Sequence, residues 1–200
     1  MILQDFTEGF VQESSGYSLT GSYTPDLVFS KLWLARELKK ALQQQGIDSV
    51  PVAYVLGSWY SNLSTILRRA GVPIDRIVDV ERNPKWLAVG AELQQDMNIN
   101  GVEQMQADAN EIDYRQLQQP GLVINTSTND IEGRDWYTSI PAGATVVLQG
   151  RDHQEFTNGV ETLDRFNRIY PMDKTLYLGS LVVEGVDHDI YNRFMKIGIR

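Results

Sequence analysis

Three residues with chemical potential stand at the ends of successive apolar segments. Gly57 closes Val50 to Leu56, Glu81 closes Arg76 to Val80 with Asp79 just inside it, and Asp108 follows Val102 to Met105. A glycine at the end of an apolar strand lets the backbone approach a ligand and leads into a helix N-terminus, and a carboxylate at the next strand end can accept from two ribose hydroxyls. The chemistry that fits is nucleoside binding. Two further polar sets follow later segments: Asn125, Ser127, Asn129 and Asp130 after the fourth, and Gln149, Arg151, Asp152 and His153 after the fifth. Ligands of open parallel sheets bind outside the carboxyl ends of the strands, so these sets are expected as facing walls of a reaction site. His153 and Asp130 are its candidate proton acceptors, with Asn125 and Ser127 orienting a polar acceptor.

Each of these residues also has a structural reading. Glu81 and Asp108 read as caps of the helices that follow them, and Asn125 and Ser127 read equally as turn residues. Trp59 and Tyr60 read evenly as a stacking surface for a ligand or cation and as packing over a helix end. Trp33, within an apolar helical stripe, is expected in the core, and Trp86, in the helix after Pro84, is expected to pack on the sheet.

The elements that must position these groups alternate between the two hydrophobic periods. Thr24-Pro25-Asp26 starts a helix whose apolar residues recur at mostly helical spacing up to Gly46. Val50 to Leu56 is a strand, Leu63, Ile66 and Leu67 mark a helix ending near Gly71, and Arg76 to Val80 is the second strand. Asn83-Pro84 opens a helix to about Met97, since proline at the first turn loses no hydrogen bond. Val102 to Met105, Gly121 to Asn125 and Ala144 to Gln149 are three more strands, and intervening helical segments imply a mostly parallel sheet. Leu176 to Val183 and Tyr191 to Ile199 are joined too closely for a crossover helix and should pair antiparallel. The expected fold is a three-layer α/β domain, Rossmann-like, with a seven-stranded sheet closed by a C-terminal antiparallel hairpin.

Composition narrows the function classes. The chain has 200 residues, 42% of them hydrophobic, enough for one sizeable core, and no cysteine, which excludes disulfides and thiolate chemistry and fits a cytoplasmic setting. With 26 acidic against 18 basic residues the net charge is −8, a sign that disfavours nucleic acid as the main partner and leaves a small-molecule substrate as the default. Two well-separated histidines and no calcium-loop spacing give no metal site, and no Gly-x-x-x-x-Gly-Lys-Ser/Thr loop occurs. No apolar run approaches the roughly 18 residues needed to span a bilayer, so no membrane contact and no cleaved export signal are expected. Self-association stays open. Residues 1–25 are expected as an arm or lid and 26–200 as a single domain.

From Val50 to Arg200 the sequence resembles the class I S-adenosylmethionine-dependent methyltransferases. The matching residues are the glycine-bearing loop after the first strand, Val80-Glu81-Arg82-Asn83-Pro84 after the second, Gln106-Ala107-Asp108-Ala109 after the third, Ile140-Pro141-Ala142-Gly143 before the fifth, and the terminal hairpin. The resemblance implies S-adenosylmethionine as cofactor. Its methionine part would lie against Gly57, Ser58 and Trp59, its ribose on Glu81 with Asp79 as the near alternative, and its adenine at Asp108 and Ala109, with Asn125 as a further cofactor contact. It implies methyl transfer to a small polar acceptor. Other uses of the cofactor, such as aminocarboxypropyl transfer or breakdown, and a catalytically silent binding module are the alternatives. Departures from the pattern are equally specific. The family's Gly-x-Gly-x-Gly loop keeps only Gly57, with Trp59 and Ser61 at the other two glycine positions, and the segment Asn125-Thr126-Ser127-Thr128 lacks the Pro-Pro-aromatic motif of base methyltransferases.

Overall fold

The computed structural model describes residues 23–152, 160–185 and 188–200. Helix α1 (Pro25–Gln44) precedes β1 (Val50–Leu56), α2 (Asn62–Arg69), β2 (Ile74–Glu81), α3 (Pro84–Asp96), β3 (Val102–Gln106) and β4 (Leu122–Asn125). Then come the single-turn α4 (Asp135–Thr138), β5 (Thr145–Arg151), α5 (Leu163–Ile169), and the hairpin strands β6 (Lys174–Glu184) and β7 (Ile190–Ile199). The sheet order is β3-β2-β1-β4-β5-β7-β6. Strands β1 to β5 pair parallel, whereas β7 pairs antiparallel with both β5 and β6. The chain leaves β1 to build outward through β2 and β3, then returns to place β4 on β1's other side. Such a reversal opens a crevice at the strands' carboxyl ends.

Local sequence accounts for the elements. Pro25 and Pro84 occupy first-turn positions, and Asn83 Oδ1 accepts from Lys85 N at 3.0 Å to cap α3. Strand β1 reads Val-Pro-Val-Ala-Tyr-Val-Leu without alternation because both of its faces are covered. One face packs Val50, Ala53, Val55, Ile77 and Ile124 against α1 and α2. The other packs Tyr54, Val78, Val123 and Leu148 against Trp136, Phe166 and Tyr170. The expected seven-stranded sheet with its terminal hairpin is the fold observed.

Several boundaries differ from the sequence expectation. Strand β2 runs on to Glu81 and β5 to Arg151, one and two residues past the expected ends, so both residues sit on strand. Trp33 is buried as expected, edge-on to Tyr177, and its Nε1 donates to that hydroxyl at 3.2 Å. Trp86 is a correction. It lies 37% exposed, because its position on α3 faces the loop after β1 and not the sheet. The arm ahead of α1, expected as a lid, lies almost wholly outside the described residues. No helix among the described residues is long and apolar enough to cross a membrane.

Candidate active site

A cavity of about 860 Å³ opens outside the carboxyl ends of β1, β2 and β4, a size suited to a small ligand. Gly57, Ser58, Trp59, Glu81, Asp108 and Ala109 line one half. Asp26, Lys31, Asp130, Arg151, Tyr191 and Arg193 line the other.

The loop from β1 into α2 has a glycine-like backbone at three alternate positions, of which one is a glycine. Gly57, Trp59 and Ser61 adopt φ of 63°, 54° and 59°, all in the left-handed region. That conformation costs a residue with a side chain about 1–2 kcal/mol, and such strain persists only where the surroundings over-determine it. Here they do. Trp59 N donates to Glu81 Oε2 at 3.1 Å, Ser58 N donates to Val80 O at 3.0 Å, and Ser61 O accepts from Thr65 N at 3.0 Å. Helix α3 presses on the loop at Gly90, where a Cβ would stand 2.6 Å from Ser61 Oγ. At Gly57 a Cβ would stand 3.3 Å from Ser127 Cβ. Trp59 and Ser61 thus hold a backbone conformation that glycine adopts without strain. Trp59 and Tyr60 stack on each other at 5.2 Å, and Trp86 meets both at 6.1 Å, forming an aromatic wall whose tryptophans line the cavity.

Glu81 and Asp79 point to the same face of β2 because they are two residues apart, and depth separates their roles. Glu81 sits at the rim, where Oε1 accepts from Asn83 N at 2.9 Å and Oε2 from Trp59 N. Each carboxylate oxygen retains a lone pair for a ligand hydroxyl. Asp79 does not line the cavity. It is fully buried one pleat deeper, accepting from Ser64 Oγ and from Gln94 Nε2 at 3.4 Å.

Burial raises the Asp79 carboxyl to about 6, against the pull of hydrogen bonds from Ser61, Ser64, Gln94 and Gln104. A folded-state value above the unfolded one means that the native state holds its proton longer, so stability falls as pH rises from about 4 through 6 and is flat above. Asp79→Asn should remove this slope and raise stability at pH 8 by on the order of 1–3 kcal/mol. Urea denaturation of both proteins at pH 4.5 and 8 measures it, and parallel pH dependences would exclude Asp79 as the source.

Asp108 lines the cavity and also caps the turn after β3, its Oδ1 accepting from Asn110 N at 2.8 Å and Asn110 Nδ2 at 3.1 Å. The capping reading of this residue is borne out, and Oδ2 is left for other partners. On the fourth and fifth strands the expectation needs correction. Ser127, Asp130 and Arg151 line the cavity, but Asn125, Asn129, Gln149 and Asp152 do not. Asn125 is fully buried below the floor, where its Oδ1 accepts from Ser127 N at 2.8 Å. Asn129 brackets Arg151 through both backbone groups, Gln149 Nε2 donates to Ser30 O at 3.1 Å, and Asp152 holds Asn192. These side chains close strand ends against neighbouring elements. His153 lies outside the described residues. His188, given no role, sits in the exposed hairpin turn against Glu184 at 2.7 Å.

The residues sequence reasoning missed are Asp26, Lys31, Tyr191 and Arg193. A signal was present. Lys31 occupies the apolar stripe of α1, four residues from Leu27 and seven from Leu38, and Arg193 stands in the alternation Tyr191, Arg193, Met195, Ile197. Burial, with repulsion from Arg193 and a smaller attraction from Asp26, brings the Lys31 ammonium down to about 7. Burial raises the Asp130 carboxyl while Arg193 and Arg151 act to lower it.

No family model matches the sequence, and no curated protein is significantly similar to it. The fold is shared widely. The YcgJ protein of Bacillus subtilis superposes with a TM-score of 0.60 at 6% identity, covering 82% of this chain and 98% of that one. A SAM-dependent methyltransferase of Aquifex aeolicus superposes at 0.53 and 12% identity, covering 80% and 88%. The N-terminal domain of EvdMO1, solved with SAH bound, does so at 0.56 and 10% identity, covering 84% and 80%. With its strand order and terminal hairpin, the chain has the fold of the class I S-adenosylmethionine-dependent methyltransferases.

Proposed function

We propose that this protein binds S-adenosylmethionine and transfers its methyl group to a small polar acceptor. One observation carries the reading. The three left-handed positions at 57, 59 and 61 keep a tight loop at the end of β1, and the Glu81 carboxylate is fastened to that loop by Trp59 N with accepting capacity left over. The residues fit the cofactor. Ser58 Oγ and Trp59 Nε1 are buried polar atoms without protein partners in residues that line the cavity, and a polar ligand can satisfy them. Glu81 would hold the ribose, Asp108 and Ala109 the adenine, and Gly57 to Trp59 the methionine part.

A sulfonium supplies an electrophilic methyl, so the chain's own task is to align the acceptor, exclude water and take a proton. Asp130 suits the last role, being in the cavity with a carboxyl raised by burial. His153 is the second candidate for it.

Isothermal titration with S-adenosylmethionine, S-adenosylhomocysteine and NAD tests the reading. Micromolar binding of the first two and none of NAD is expected, and failure of both to bind would overturn it in favour of a silent binding module. Asp108→Ala should weaken S-adenosylhomocysteine binding by roughly three- to tenfold, one hydrogen bond's worth at a rim that other contacts still hold. An effect larger than that of Glu81→Ala would contradict the assignment of the two acids.

A further inference from the structure

The half of the cavity away from Glu81 is lined from α1, the loop after β4, β5 and β7, and it brings three cations, Lys31, Arg151 and Arg193, together with the carboxylates Asp26 and Asp130. Lys31 and Arg193 are only 6% and 7% exposed and act repulsively on each other. Neither forms a salt bridge with a carboxylate among the described residues. Arg193 Nη2 donates to Thr126 O at 2.9 Å, whereas its Nε is buried without a partner. Asp26, which accepts from Tyr191 Oη at 2.8 Å, attracts both through space, and Asp130 attracts Arg193. Buried charges are normally paired, and two adjacent buried cations raise each other's energy. Their surplus N–H groups call for an acceptor-rich, negatively charged partner, and guanidinium and ammonium both match carboxylate and phosphate oxygens.

The location favours the acceptor over the cofactor. In the order β2-β1-β4-β5-β7, the strand carrying Arg193 stands four positions from the one carrying Glu81, about 19 Å at the usual spacing. The guanidinium reaches back to Thr126 just beyond β4, two strands from the β2 that carries Glu81, so it sits beside the switch point and on the far side of β1 from the ribose acid. Resting on the cofactor reading of the cavity, we propose that Lys31 and Arg193 form an oxyanion subsite for the acceptor, and that the molecule methylated carries a carboxylate or phosphate group.

The test uses the whole chain, alone and saturated with S-adenosylhomocysteine, titrated calorimetrically with succinate, inorganic phosphate and, as neutral probe, glycerol. Saturable binding of succinate or phosphate and none of glycerol is expected, with affinity reduced tenfold or more in Lys31→Met and Arg193→Met. Both variants should keep the parent affinity for S-adenosylhomocysteine and for 5′-methylthioadenosine, which lacks the amino-acid carboxylate. No saturable anion binding, or equal binding by the variants, overturns the proposal. So does a loss of S-adenosylhomocysteine affinity with 5′-methylthioadenosine binding retained, since the pair would then read the cofactor's own carboxylate. Lys31-dependent phosphate binding by a protein that binds no S-adenosylhomocysteine supports the subsite and removes the cofactor reading. The unmodified protein provides a readout independent of variant folding. Buried, repelled by Arg193 and attracted by Asp26, and sharing the cavity with Asp130, Tyr191 and Arg151, the Lys31 ammonium loses its proton near neutrality, so succinate affinity should fall roughly threefold or more between about pH 6 and 8.5. A flat profile counts against Lys31 as a ligand.

Discussion

Replacing Glu81 with alanine is expected to weaken S-adenosylhomocysteine binding by well over tenfold, the largest functional effect of any single change in the cavity. Two losses combine. The carboxylate is the acceptor for two ribose hydroxyls in the proposed complex, and charge-assisted hydrogen bonds are each worth about 1.5–3 kcal/mol. It is also the anchor of the loop, since its oxygens accept from Trp59 N and Asn83 N. Without it the left-handed backbone at Trp59 loses one of the contacts that enforce it, and the loop can relax away from the ligand. Glu81→Gln separates the two effects, because one of its atoms still accepts while the other turns a donor toward a backbone N–H. Calorimetric titration of both variants measures the difference. An affinity within threefold of the parent protein for Glu81→Ala would remove the residue from the cofactor site.

Trp136→Ala should destabilise the fold by about 3–5 kcal/mol. The indole is fully buried, with Tyr137 at 5.5 Å and Tyr170 at 5.8 Å between ring centres, on the sheet face covered by α4 and α5. Helix α4 has a single turn and little stability of its own, so its place depends on this side chain. The consequence reaches the cavity. Trp136 N donates to Asn110 Oδ1 at 3.2 Å, and Asn110 in turn donates to Asp108 Oδ1. A collapsed α4 would release the turn that aims Asp108, and the variant should bind S-adenosylhomocysteine more weakly even where it remains folded. Urea denaturation with an unchanged slope checks the first part and titration below the unfolding transition the second. A stability loss under 1.5 kcal/mol would show that the aromatic cluster repacks around the gap.

Much of this architecture was legible before the fold was known. Continuous apolar runs such as Val50 to Leu56 marked strands covered on both faces, and the closely joined Leu176 to Val183 and Tyr191 to Ile199 could only be a hairpin. Glu81 and Asp108 were placed because strand ends are set by local pattern, and the sheet brings successive parallel strand ends to one edge. Gln149 and Asn125 misled for a related reason. Polar residues near a strand's end can point along either face, and a shift of one position turns a wall residue into a buried brace for α1 or for a turn.

By itself the sequence determined the order and type of the elements, the parallel sheet with its closing hairpin, and the two acids at the rim, all of which follow from periodicity and strand ends. Only the tertiary structure decided that Trp59 and Ser61 hold a glycine-like backbone, because the loop is held by Glu81, α3 and Ser127 from distant parts of the chain. It alone brought Lys31 of α1 beside Arg193 of β7, residues 162 positions apart whose proximity depends on the antiparallel insertion of β7 next to β5. Hydrophobic period is a local property and survives in one dimension. Charge neighbourhood and backbone strain depend on long-range packing, and they exist only once the sheet has assembled.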